Sequence, residues 1–229
     1  MWPYPPAFCS AMMLRSLPCC NSKKAFNRSA SYAPFAYSKV SLWMIWSNDC
    51  STWDGVECDE IMRHVVSLDL SNSSLYVSIN SSSSLFQLVH LQKLNLAYNF
   101  NHSKIPIGVG WLSKLTYLNL SCSGFLGEIL VEISQLSKLV SLDLYSNPLT
   151  LHKLGLKSIA EKLTNLEELV PSGVDISSTV PSILAHLSSL TTILLKNCGL
   201  HGQFPTGIFQ LPNLKTLSMH FNLNLMTRI

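Results

Sequence analysis

The sequence predicts an α/β solenoid: a curved right-handed coil with a parallel β-sheet on its concave side and a cap at its N-terminal end. Three observations predict it. The spelling Leu-x-x-Leu-x-Leu followed by a turn begins at Val65, Leu91, Leu115, Leu139, Leu166, Leu190 and Leu214, with separations of 26, 24, 24, 27, 24 and 24 residues. The ninth position of these units often holds asparagine, as at Asn99, Asn147 and Asn222, where an amide side chain satisfies backbone groups that a coil buries. The hydrophobic content, 47% of 229 residues, is laid out along that period, so each unit buries its apolar face only by stacking on its neighbours.

In chain order, residues 1–40 form an irregular segment, 41–64 a cap, and 65–229 about seven leucine-rich repeats, the last one truncated. The first segment holds Cys9, Cys19 and Cys20 and four prolines before residue 21, and it lacks the charged start and apolar centre of a secretory signal. In the cap, Cys50 and Cys58 bracket Ser-Thr-Trp53-Asp-Gly55-Val-Glu. A zinc site needs a second pair or suitably spaced histidines, and His64, His90 and His102 are too dispersed. A Cys50–Cys58 disulfide is favoured over free thiols, because the end of a solenoid has no neighbouring repeat to cover it, and it implies an oxidising compartment.

The third repeat shows the register. Leu115, Leu118 and Leu120 point inward, Phe125, Ile129, Ile133 and Leu136 close the coil, and Thr116, Tyr117, Asn119, Ser121 and Cys122 face the concave side or its edges. The same arithmetic exposes Gln92, Lys93, Asn95, Ala97 and Tyr98 in the second repeat, and Val140, Ser141, Asp143, Tyr145 and Ser146 in the fourth. Strands about 4.8 Å apart give a concave sheet on the order of 30 Å long, enough for an extended peptide or a protein edge. Its central column runs Asp69, Asn95, Asn119, Asp143, Val170, Leu194, Ser218, polar at one end and apolar towards the other.

The candidate ligand contacts are Lys93, Asn95, Tyr98, Tyr117, Asn119, Asp143, Tyr145, Glu167 and Lys196. Exposed tyrosines give large contact area at low entropy cost, although a solvated sheet that merely tolerates tyrosine accounts for them equally well. Pro171 replaces a ladder leucine in the fifth repeat and removes a backbone donor, so poor pairing is expected around residues 170–172. At the ninth position Ser73 and Ser123 can serve weakly, Cys198 is an accepted substitute, and Val174 cannot serve.

Several functions are disfavoured. The net charge of +3 has no basic run or stripe, which argues against nucleic acid as the main partner. No stretch of 18 apolar residues spans a membrane. His186, His201 and His220 fall at unrelated positions of the period, Glu167 and Glu168 do not converge, and no Gly-x-Ser-x-Gly turn is present. No catalytic residue, cofactor or metal is expected. Asn27, Asn72, Asn80, Asn101 and Asn119 each begin an Asn-x-Ser sequon, which suits a secreted, glycosylated chain.

Repeat tails spell Ile105-Pro106, Gly127-Glu-Ile129, Val180-Pro181 and Gly202-Gln-Phe204-Pro205. With the cap segment Asp49-Cys50-Ser-Thr-Trp53-Asp54-Gly55-Val56-Glu57-Cys58-Asp59 and with Leu68-Asp69-Leu70-Ser71-Asn72, residues 41–222 resemble plant leucine-rich-repeat receptor-like proteins of the disease-resistance kind. The resemblance is weaker to receptor-kinase ectodomains and to polygalacturonase-inhibiting proteins. It implies a cell-surface recognition module in defence or developmental signalling, with a protein or peptide ligand and a co-receptor kinase as partners, and with the membrane reached only through a segment absent from this chain. The alternatives are a secreted inhibitor of the polygalacturonase-inhibitor kind and a nonfunctional fragment. Ser51 replaces a family cysteine, Val77 a repeat glycine and Leu130 a proline. The family's cap helix is missing, yet codons for Leu17–Phe26 read two bases later can spell it, so residues up to about Ala25 are expected to be a shifted reading frame. The stop at Ile229, inside the seventh repeat, implies an N-terminal fragment.

Overall fold

The computed structural model describes residues 39, 52–73, 75, 79–99 and 102–226. The expectations for Cys9, Cys19, Cys20, Cys50, Val77, the shifted frame, Asn27 and Asn101 lie outside the described residues. Eight strands form one concave sheet. The cap strand Val56–Cys58 pairs antiparallel with Val65–Asp69, and from there every neighbour is parallel: Lys93–Asn95, Tyr117–Asn119, Ser141–Asp143, Glu168–Val170, Thr192–Leu194 and Thr216–Ser218. The register is constant, with Leu68, Leu94, Leu118, Leu142 and Leu169 directly opposite one another. All five are fully buried, because a one-residue slip would turn the whole leucine set to solvent.

On the convex side the chain returns through single 3₁₀ turns, Ser84–Gln87, Ile107–Trp111, Val131–Gln135, Ser182–His186 and Thr206–Gln210. The fourth repeat differs. Its three extra residues convert that turn into the α-helix Gly155–Lys162, which buries Leu156, Ile159 and Ala160, a change that the 27-residue spacing marks but does not specify. Close stacking of the convex turns has sequence consequences: a Cβ on Gly108 would lie 2.4 Å from the Phe86 ring, and one on Gly110 2.6 Å from Cβ of Glu132.

The amide ladder at the ninth position carries the buried polar accounting. Asn99 accepts from the amides of Ser73 and Leu75 and donates to the carbonyls of Leu70 and Leu96. Asn147 repeats the pattern with Ser123, Phe125, Leu120 and Leu144, and Asn222 with Cys198, Leu200, Leu195 and Met219. Ser123 substitutes by accepting from the Asn99 amide and donating to the Leu96 carbonyl. The Cys198 thiol donates to the carbonyl of Pro171, and its burial raises its pKa to about 11, so it stays a protonated donor at neutral pH. Val174 has no polar atom, and the fifth turn closes instead by its own amide on the Pro171 carbonyl at 2.9 Å.

Pro171 acts on one side only. The equivalent amides of Leu70, Leu96, Leu120 and Leu144 each donate to the next strand, and Pro171 cannot, so its strand pairs forward through Glu168–Thr192 and Leu169–Ile193 alone. Backward pairing is intact through Asp143–Val170, because it draws on the carbonyls of Val170 and Ser172 and the amide of Glu168, which the proline leaves untouched. The disturbance expected over residues 170–172 is thus confined to one missing bond.

Cys58 is disulfide-bonded; Cys122 and Cys198 are free thiols. Among the described residues no helix is long and apolar enough to cross a membrane.

Candidate functional site

The concave face is built from strand positions whose neighbours are fixed by the register. Lys93, Tyr117, Ser141, Glu168 and Thr192 form one row, and Asn95, Asn119, Asp143 and Val170 the next. The second row has a structural task that the sequence did not reveal. In Asp69, Asn95, Asn119 and Asp143, one side-chain oxygen accepts from the amide two residues on, that of Ser71, Ala97, Ser121 and Tyr145. Short polar side chains favour such closed turns. These bonds fold the strand end inward, which corrects two expectations of exposure, since Ala97 and Ser121 are buried; Ser141, at the start of its strand, is buried as well, against the same expectation. Ser121 also gives its hydroxyl to Asn119, and Ser141 gives its hydroxyl to Glu168 at 2.7 Å.

The eighth position of each repeat is left-handed, from Asn72 through Tyr98, Cys122, Ser146, Gly173 and Asn197 to Phe221. That geometry swings Tyr98 out over the rim, where it is 59% exposed, beside Tyr145 at 43%. The Tyr98 phenol is held above its ordinary pKa, first by the neighbouring Cys122 thiol through charge and a hydrogen bond, then by burial, Tyr145 and Asp143. Tyr117 accepts from the Asn119 amide at 3.2 Å. Tyr98 thus bonds Cys122 and feels the charges of Tyr145 and Asp143, while Tyr117 and Asn119 lie on the strand that pairs with that of Asp143.

Asp143 is the electrostatic centre. Burial pushes its carboxyl pKa up, the Tyr145 amide works against that, and the charge of Glu168 adds to the rise. Glu168, not Glu167, is the glutamate that joins the patch: it stands opposite Ser141, within reach of Asp143. Glu167 is exposed at the strand start, where its carbonyl serves Thr191 and Thr192. Alternation along a strand separates the two, and a choice between them needed the register.

The remaining candidates lie apart. Lys93 is exposed opposite Tyr117. Lys196 sits over the Phe221 ring at 5.1 Å, beyond the apolar shelf of Val170 and Leu194. At the other end, Lys39 pairs with Asp69 at 2.9 Å. Burial there is outweighed by Ser71 and Lys39, which hold the Asp69 carboxyl below its ordinary pKa. Two described sequons, Asn72 and Asn80, are exposed, and Asn80 accepts from the Ser82 hydroxyl at 2.6 Å. Asn119 is half-buried within the patch. No group of three or more His, Cys, Asp or Glu side chains able to hold a metal occurs among the described residues.

This coil, with its amide ladder and its parallel concave sheet, is a leucine-rich-repeat solenoid, and the solved structures it is similar to are plant receptor ectodomains. The fold matches Pollen Receptor Kinase 3 with a TM-score of 0.75 at 24% identity, over 92% of this chain and 96% of that one. It also matches the Arabidopsis receptor kinase HAESA, solved with the peptide hormone IDA and the co-receptor SERK1, with a TM-score of 0.62 and 29% identity over 72% of this chain and 26% of that one. No protein-family model matches the chain. Curated relatives are more specific: Receptor-like protein 6 of Arabidopsis thaliana is 42% identical over 203 residues, 83% of this chain and 20% of its own length. Receptor-like protein Cf-9 of Solanum pimpinellifolium is 43% identical over 186 residues, 80% of this chain and 21% of its own. The chain is thus similar over most of its length to plant receptor-like proteins, and it spans about a fifth of the length of these curated relatives.

Proposed function

We propose that this chain is a recognition module of a cell-surface receptor-like protein in defence or developmental signalling, that it binds a protein or peptide ligand on its concave face, and that it performs no chemistry of its own. The patch of Tyr98, Tyr117, Asp143, Tyr145 and Glu168 carries the reading. Aromatic side chains with few rotatable bonds supply contact area, and two carboxylates, Asp143 and Glu168, that form no ion pair among the described residues favour a ligand segment that brings a positive charge. Val170 and Leu194, on the next two strands, offer an apolar shelf for the residues that follow. Signalling would pass to a separate co-receptor kinase. Lys93, Asn95, Asn119, Glu167 and Lys196 stand as outer contacts, the Cys50–Cys58 bridge as the cap's staple, and Asn27, Asn72, Asn80, Asn101 and Asn119 as glycosylation candidates.

Selection of a displayed peptide library on the chain tests the reading. Enriched peptides should carry Arg or Lys next to apolar residues and should lose at least tenfold in affinity for the Tyr117→Ala/Tyr145→Ala variant. Equal binding to both proteins would remove the concave assignment.

A further inference from the structure

The position just before each repeat forms a column along the rim where the strands begin: His64, His90, Lys114, Lys138, Asn165, Ser189 and Asn213. In the later repeats this position ties neighbours together, as Asn165 donates to the Ser137 carbonyl and Asn213 to the Ser188 carbonyl. The first members do something else. The His64 and His90 rings stack with centroids 3.8 Å apart and planes 11° apart. His64 is paired through Nδ1 to Asp59 at 3.3 Å, and Lys114 Nζ lies 3.0 Å from Nδ1 of His90.

An ammonium group has donors only, so this last contact exists only while Nδ1 of His90 is an unprotonated acceptor. Protonation there leaves two donors, the His90 Nδ1–H and the Lys114 ammonium, converging with no acceptor between them. We propose that His90 and Lys114 form a proton-loaded oxyanion site, in which a carboxylate or sulfate oxygen takes the place of the lost acceptor when His90 becomes charged. The charged groups facing His90 are His64 and Asp59 from the cap side and Lys114 from the position just before the third repeat. Burial, His64 and Lys114 all lower its pKa, and Asp59 alone raises it, so the neutral ring is the resting form and the site fills on acidification. The site lies on the strand-start rim and is independent of the concave patch.

Proton and anion uptake are linked, so each must strengthen the other. The test follows the His90 ring by nitrogen-detected NMR on the whole chain, titrated in sodium chloride, sodium sulfate and sodium acetate at equal ionic strength. Sulfate or acetate should raise the His90 midpoint by about half a pH unit or more relative to chloride, and the salt that does so identifies the preferred oxyanion. In the Lys114→Met variant, altered only at an exposed side chain, the chloride midpoint should rise and the anion dependence should vanish. Identical midpoints in all three salts, or anion dependence that survives Lys114→Met, would overturn the proposal.

Discussion

Asn147→Val copies into the fourth repeat the residue that the fifth carries naturally at Val174. The side chain is 2% exposed and accepts from the Ser123 and Phe125 amides at 3.2 and 3.0 Å. It donates to the Leu120 and Leu144 carbonyls at 2.9 and 3.0 Å. Valine strands those four partners. A buried polar group left unsatisfied costs about 1–3 kcal/mol, and the lower end of that range gives about 4 kcal/mol, a large share of the ordinary stability of about 5–15 kcal/mol. Cys198→Ala supplies the contrast: it removes thiol bonds of 3.4 Å to the Pro171 and Lys196 carbonyls, which still accept from the Val174 and Gly173 amides, so no partner is stranded and the cost should be well below that of Asn147→Val. Urea unfolding followed by circular dichroism measures both, and hydrogen exchange should show the Ser123 and Phe125 amides losing protection. A cost for Asn147→Val no larger than that for Cys198→Ala would refute the view that the ladder, and not leucine burial alone, holds the coil.

Further expectations follow from the face and the rim. Because burial and Glu168 raise the Asp143 pKa, the folded state takes up a proton there above the unfolded range, so Asp143 contributes stability that grows as pH falls through its folded midpoint and is absent once both states are ionised. Glu168→Gln should lower that midpoint, read by carboxyl NMR; an unchanged midpoint would separate the two groups. Peptide mapping of secreted protein should find glycan on Asn72 and Asn80 and none on Asn119 in the binding-competent fraction, since a sugar at Asn119 would displace its bond to Tyr117 and cover the patch. Occupied Asn119 with full binding would contradict this.

The inward leucines were legible because period and burial are one fact in a solenoid. Leu94, Leu118 and Leu142 sit where the spelling puts them, and Asn99, Asn147 and Asn222 bond as the ninth position implies. What escaped were features set between strands. Nothing in the local sequence says that Asp143 spends one oxygen on the Tyr145 amide, or that the same closure buries Ala97. The choice of Glu168 over Glu167 depends on register against Ser141, and the left-handed backbone that lifts Tyr98 follows from the turn and not from tyrosine's own preference. The helix Gly155–Lys162 was signalled only as three surplus residues. Lys39 reaches Asp69 across 30 residues of sequence, a contact no pattern announces.

The central claim is that ligands are held on the concave side. A photoreactive amino acid placed at Tyr145, and in a second protein at the convex, 51% exposed Phe209, tests it directly against a selected peptide or the partner captured with it. The concave probe should yield the crosslinked species and the convex probe should not. Crosslinking from Phe209 with none from Tyr145 would contradict the account.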